Sequence, residues 1–428
     1  MHTDLLYYIY NFADHDVSVN FILCSKNIAK FFSKYDKNDY YLYFASKYNK
    51  SINSIITKPL DDIINKIEKE RPYISRFNKY SLNKLIDQYN DVYDEYMLIM
   101  ACLCGLIKLI KKILILFPKI NIAAQNNDAI ICACSNGNIE LVKYILTLKN
   151  KYPKINITAQ DNDAIICACS NGHINMVKYI LSLKNKFPKI NITAQDNDAI
   201  IRACEKGHID IVKYILSLKN KYPEINITAQ NNKAIIYACE KGHIDMVKYI
   251  LSLKNEYPEI NIAAQNNYAI IWACGNGHID IVKYILSLKN EYPEIDICAQ
   301  DNDAIKWTCR NGYIDMIKYI LSLKNKYPGI NIYAQNNSAI ALACSNGRID
   351  MVKYILSLKN EYPEIDITAQ NNYAIKCACY HGRISMVEYI LSLNHPQISN
   401  INFINELTNY NYDSVIINIL NNYKMKLI

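Results

Sequence analysis

AQDNDAIIRACEKGHIDIVKYILSLKNKYPEINIT, residues 194–228, decides the fold. "NDAIIRACEKG" reads as a short helix, with Asn197 or Asp198 placed to cap its N-terminus and Gly207 suited to the left-handed residue after its end. A second helix is predicted through "IDIVKYILSLKN". Asp210 in its first turn complements the helix dipole, and Ile209, Val212, Ile215 and Leu216 form one apolar stripe. Pro223 stops it, and the alternating "EINIT" reads as a short extended connection.

The stretch recurs. Matching segments start at Ala124, Ala159, Ala194, Ala229, Ala264, Ala299, Ala334 and Ala369, each 35 residues from the last. A helix pair this short cannot cover its own apolar face. Each fully buried Ile or Leu contributes roughly 1.5–3 kcal/mol only if a neighbour covers it, and the next copy supplies that cover. The fold expected is all-α, an α-solenoid of stacked helix pairs roughly 100 Å long and curved. A degenerate pair from Met97 should precede the eight regular units, and a half-matched pair from Ile404 should follow them. The domain reading is a helical N-terminal segment (1–95), the array (96–394) and a C-terminal capping repeat (395–428).

The unit resembles the ankyrin repeat. The Gly-His-hydrophobic-Asp turn, the "IVKYIL" helix and the small pair "AC" carry the resemblance. "DAII" stands where that family has Thr-Pro-Leu-His, and Asp or Asn replaces the glycine of its hairpin finger, so the finger's geometry is left open. The Asn/Ile/Lys/Tyr-rich style is similar to ankyrin proteins of giant amoeba-infecting viruses. The resemblance implies a non-enzymatic scaffold for protein–protein interaction, binding on the concave face, as a viral effector or a ubiquitin-ligase substrate adaptor. The adaptor reading rests on "DLLYYIYNFADHDVSVNFILCSKNIAKFF" from Asp4, which is similar to an F-box but lacks the Leu-Pro start; the alternative for 1–95 is a helical cap.

The chain of 428 residues carries +8 net charge, all of the excess lying between 1–95 and 395–428, where 33 basic residues face 25 acidic ones. Spread so thinly, this argues against nucleic acid as the main partner. The runner-up function nevertheless uses nucleic acid, through a lysine column (Lys143 to Lys353, then Glu388) and a tyrosine column (Tyr144 to Tyr389) on the second helices; the leading reading gives both columns to the solvated face and to packing. The apolar stretch 98–117 is broken by Lys108, Lys111 and Lys112, so no membrane span is expected. Fifteen cysteines, an odd number without a framework, point to a reducing, cytoplasmic setting (the host cell's, if the protein is viral). A monomer is expected.

The thiols and imidazoles pose a metal question. Cys134 to Cys379 fill one position in all eight units, but the histidine position reads Asn138, His173, His208, His243, His278, Tyr313, Arg348 and Arg383. Half the units lack the imidazole, so the cysteine is read as a small apolar filler, no metal or other cofactor is expected, and the histidine is assigned to fixing the turn. Trp272 and Trp307 are read as interior packing. No nucleotide loop, metalloprotease helix or nucleophile elbow occurs, so no catalytic residue is expected. Function should lie where the units disagree: just before "AI" (Lys233, Tyr268, Asp303, Tyr373) and just before the glycine (Glu205, Lys206, Glu240, Lys241, Arg310, Tyr380).

Overall fold

The computed structural model describes residues 119–410 and 412–427, together with residues 98, 99, 101–103, 105, 107, 110, 111 and 114. The F-box or cap reading of 1–95 lies outside them. Each unit supplies a first and a second helix: α1 (Ala124–Ser135) and α2 (Ile139–Thr147), α3 (Ala159–Ser170) and α4 (Ile174–Ser182), α5 (Ala194–Glu205) and α6 (Ile209–Ser217), α7 (Ala229–Glu240) and α8 (Ile244–Ser252). The pattern continues with α9 (Ala264–Gly275) and α10 (Ile279–Ser287), α11 (Ala299–Asn311) and α12 (Ile314–Ser322), α13 (Ala334–Ser345) and α14 (Ile349–Ser357), α15 (Ala369–Tyr380) and α16 (Ile384–Ser392). Two further helices, α17 (Ile401–Thr408) and α18 (Ser414–Leu427), close the described chain. No strand occurs among the described residues.

The chain divides into two units between Ala199 and Ile200. In the first, α1 packs on α3; in the second, α7, α9, α11, α13 and α15 pack in succession, each also against its own second helix. α18 packs on α17 and on α16, with Phe403, Ile404, Leu407, Ile416 and Leu420 buried.

The second helices follow most of their stripe. Val282, Ile285 and Leu286 are buried as the spacing predicts, but Ile281 is buried in place of Ile279, which is half-buried, while Lys283 and Asp280 are exposed. They end at the serine, a turn earlier than the apolar spacing predicts: Leu288 N–H bonds to the Ile285 carbonyl at 3.0 Å, tightening the last turn. The next lysine then reaches into the loop. Lys254 Nζ donates to the Pro258 carbonyl at 2.7 Å and the Ile260 carbonyl at 2.6 Å, closing the connection on itself. The alternation expected of the "EINIT" segment is real as burial, with Ile260 and Ile262 inside, but it forms turns rather than a strand.

The finger position holds what sequence patterning did not reveal. The Gln-Asn/Asp-Asn run opening every first helix is left-handed at all three residues, with φ between 49° and 71° throughout the eight units. Such backbone costs roughly 1–2 kcal/mol per non-glycine residue. Hydrogen bonds to the loop that closes the unit and to the opening of the preceding unit offset it. Asn267 Oδ1 accepts from Asp296 N–H at 2.8 Å and its Nδ2 donates to the Glu294 carbonyl at 3.1 Å. Asn232, Asn302 and Asn337 hold the next loops in the same way. The glutamine reaches the other way: Gln265 Nε2 donates to the Gln230 and Asn231 carbonyls at 3.1 and 3.0 Å. The expected asparagine cap is therefore corrected. Where these contacts are described, the buried asparagine clamps the loop that leads into the following unit instead of capping its own helix.

The histidine column is corrected similarly. His173, His243 and His278 make no cap bond to their own helices. His278 Nε2 bonds the Glu240 carbonyl at 2.9 Å, across to the end of the preceding first helix. Arg383 Nε does the same to Ser345 at 2.9 Å, so imidazole is one of several side chains able to serve. Gly242 has φ +85° as predicted for the turn, and a Cβ there would sit 2.7 Å from His278, so the glycine also makes room for that ring.

Candidate partner-binding surface

The interior columns are uniform. Ala238 and Cys239, and their counterparts Ala273 and Cys274, are fully buried. Burial pushes the Cys204, Cys239, Cys274 and Cys309 thiols far above their ordinary value, the opposite of what a thiolate ligand requires. Among the described residues no group of three or more His, Cys, Asp or Glu side chains is placed to hold a metal ion, and no helix is long and apolar enough to cross a membrane.

The lysine and tyrosine columns engage each other. Lys213 lies over the Tyr249 ring at 5.3 Å, Lys248 over Tyr284 at 5.6 Å and Lys283 over Tyr319 at 5.5 Å, each ammonium meeting the ring of the next unit. Lys353 lies over Tyr389 at 5.6 Å, and Glu388 replaces lysine in that last unit. Both columns thus join neighbouring second helices.

The first helices carry the disagreement. Tyr268 on α9 stands one turn before Trp272, their rings 6.3 Å apart and edge-on. Trp272 meets Trp307 of α11 at 5.1 Å, and the Arg310 guanidinium lies 4.7 Å over the Trp307 ring. Both tryptophans are only partly buried, against the expectation of interior packing. Their column reads Arg202, Tyr237, Trp272, Trp307, Leu342 and Cys377 along the second unit, and a position so tolerant of size cannot be filling a fixed cavity.

The other predicted residues fall around this cluster or away from it. Lys233 of α7 donates to Gln230 Oε1 at 2.9 Å and lies 5.3 Å over the Tyr237 ring. Asp303 pairs with Lys306 at 2.5 Å, and Glu240 with Lys241 at 2.6 Å. Glu205 is buried between Arg202 at 2.9 Å and Lys206 at 3.5 Å. Burial pushes its carboxyl up, but the Arg202 hydrogen bond and the Lys206 and Lys241 charges prevail and hold it below the usual carboxylate value. Tyr373 and Tyr380 are 49% and 77% exposed, on α15 and outside the cluster.

Trp272, Trp307 and Lys306 were absent from the sequence-based site. Column diversity was the signal for the tryptophans. For Lys306 it was a lysine where Ile201, Ile236 and Ile271 stand in other units.

These features define a helix-pair repeat protein with a fixed interior and a variable first-helix face. The family model for ankyrin repeats (3 copies) matches in five overlapping stretches, 98–196, 148–229, 183–264, 252–336 and 309–402. The chain belongs to the ankyrin repeat family, whose repeats are generally protein–protein interaction modules. Among solved structures it is similar to an ankyrin repeat family protein from Legionella pneumophila, at 17% identity, covering 76% of this chain and 92% of that one, with a TM-score of 0.34. No curated protein matches its sequence.

Proposed function

We propose that the chain is a non-enzymatic scaffold that binds protein partners on the first-helix face of the units from Ala229 to Ala369. In this reading 96–394 form the array, α17 and α18 cap it, and 1–95 are a separate segment. One observation carries it: the columns that vary most, those of Lys233, Tyr268, Trp272 and Arg310, are partly open to solvent, while Ala238, Cys239 and their counterparts stay fully buried. Affinity purification with the full chain, repeated with the Tyr268→Ala/Tyr373→Ala variant, tests it. Loss of partner recovery is expected; unchanged affinity for every partner sinks the reading.

The narrower role, an effector joining a ubiquitin ligase to targets held by the repeats, draws on the F-box-like pattern in 1–95. It requires ligase subunits to co-purify with the full chain and to be lost when the 1–33 stretch is scrambled.

A further inference from the structure

We propose that the face formed by α7, α9 and α11 docks an acidic protein segment of about six extended residues with a bulky apolar side chain near its middle. This rests on the scaffold reading and specifies its partner's chemistry.

The aromatic platform is built, not incidental. The chain has two tryptophans, and both lie here. Gly275 is the glycine of a column that elsewhere holds Ser, Glu, Arg or Tyr, and a Cβ there would come 2.9 Å from the Trp307 Cβ. α9 and α11 therefore approach closely at this point, where Gly275 leaves room beside the Trp307 Cβ. Its flanking residues depart from the repeat too. Lys306 replaces Ile and is held by Asp303 and by the Gln300 carbonyl at 3.2 Å; Thr308 replaces Ala, its hydroxyl shared between the Ala304 carbonyl of α11 at 2.7 Å and the Cys274 carbonyl of α9 at 3.0 Å. The rings are thus fixed before any partner arrives, which lowers the ordering cost of binding.

Charge selects the partner. Asp303 and Glu240 are each neutralised by a lysine of their own unit. Among the described residues neither Arg310 nor Lys233 has a carboxylate in ion-pair contact; each rests on an aromatic ring instead. A guanidinium resting against a ring face still has N–H donors to offer a carboxylate. Arg310 and Lys233 stand on the outer two of three packed helices and at opposite helix ends. Helix spacings of 8–10 Å and a rise of 1.5 Å per residue separate them by about 20 Å. An extended chain covers that in about six residues, its midpoint over Trp272 and Trp307.

Random heptapeptides arrayed and probed with the full chain test this. The selected peptides should carry Asp or Glu towards both ends and an apolar residue between, and the best should shift tryptophan emission saturably, since both tryptophans lie in the patch. Arg310→Glu and Lys233→Glu, both surface changes that leave the melting curve in place, should each weaken binding tenfold or more, and raising salt from 0.05 to 0.2 M should weaken it several-fold. Selection of basic or uncharged peptides, or of none, overturns the proposal. So does acidic-peptide binding without an emission change, which puts the site elsewhere. Self-association abolished by Arg310→Glu would make a second copy the occupant and overturn it as well. Partners lost in Tyr268→Ala/Tyr373→Ala, with the peptide test failing, would leave the scaffold standing and remove only this partner chemistry.

Discussion

Asn302 carries two backbone bonds of the loop that leads into the following unit, to Asn331 N–H at 2.9 Å and the Gly329 carbonyl at 3.1 Å, from a left-handed φ of 65°. Asn302→Ala removes both while keeping a side chain in left-handed space. A loss of about 2–4 kcal/mol in urea-melt stability is expected from the orphaned groups, with Asn302→Gly about 1 kcal/mol milder because the backbone strain is relieved. Equal losses would mean the strain is absorbed elsewhere. The cysteine column makes a second claim at this scale. Folding holds the Cys134, Cys169, Cys239, Cys274 and Cys344 thiols far above the ordinary value of 9.0, and Cys379 at about 12. A raised thiol binds its proton more tightly folded than unfolded, so its stabilisation is whole below pH 9 and drains away above it. Each buried thiol should cost about 1.4 kcal/mol per pH unit beyond that point. Cooperative loss of helix between about pH 9 and 11, delayed in Cys239→Ala/Cys274→Ala, is the expected circular-dichroism titration; a melt flat to pH 11 would contradict it.

At the scale of an element, what the sequence disclosed depended on how local the determining contacts were. The second helices were readable because Ile279, Val282, Ile285 and Leu286 repeat at helical spacing within nine residues, and the glycine turns because left-handed backbone favours that residue. The Gln-Asn-Asn opening was not, since its partners lie 27 to 35 residues away; a reading confined to one unit assigns asparagine to a cap. The face was half readable. Tyr268 and Arg310 stood out as variable, but Trp272 and Trp307 passed for interior because size and apolarity alone do not reveal direction. Gly275, a missing side chain in the neighbouring helix, stood beside Trp307 alone. α11 tests the idea that its departures serve binding rather than folding. A lysine 7% exposed in place of isoleucine is tolerated through Asp303, yet an apolar residue of matching volume does as well or better in such places. Lys306→Ile with Asp303→Ser, restoring residues that Ile271 and Ser338 exemplify, should leave stability unchanged or raise it by about 1–3 kcal/mol in thermal melts. A fall of more than 1 kcal/mol would show that the ion pair is needed by the fold itself.

For the whole molecule the consequence is additivity. In the second unit each first helix packs on the next first helix and on its own partner; the glutamine bonds, ring–lysine contacts and histidine bridge join a repeat to its immediate neighbour, and the asparagine clamps fix the loop that leads from one to the next. Stability of such an array is a sum of unit and interface terms. Excising one complete period therefore removes one unit and one net interface while every surviving junction keeps its chemistry. Deletion of residues 334–368 brings Ala369 against the unit that starts at Ala299, where Gln370 can meet the carbonyls of Gln300 and Asp301 in place of those of Gln335 and Asn336, and Asn302 keeps its own donor, Asn331. The shortened chain should fold with full helicity per residue, a urea m-value lower in proportion to the surface lost, and an intact tryptophan pair, read as unchanged emission. Deleting the same number of residues out of phase, 351–385, joins second helix to second helix within a matching period and should behave alike, whereas removing the 30 residues 339–368 takes away Asp366, the i+29 donor of Asn337, and should aggregate or melt at least 10 °C lower. If the 30-residue and 35-residue deletions melted together, nearest-neighbour register would not be what holds the array.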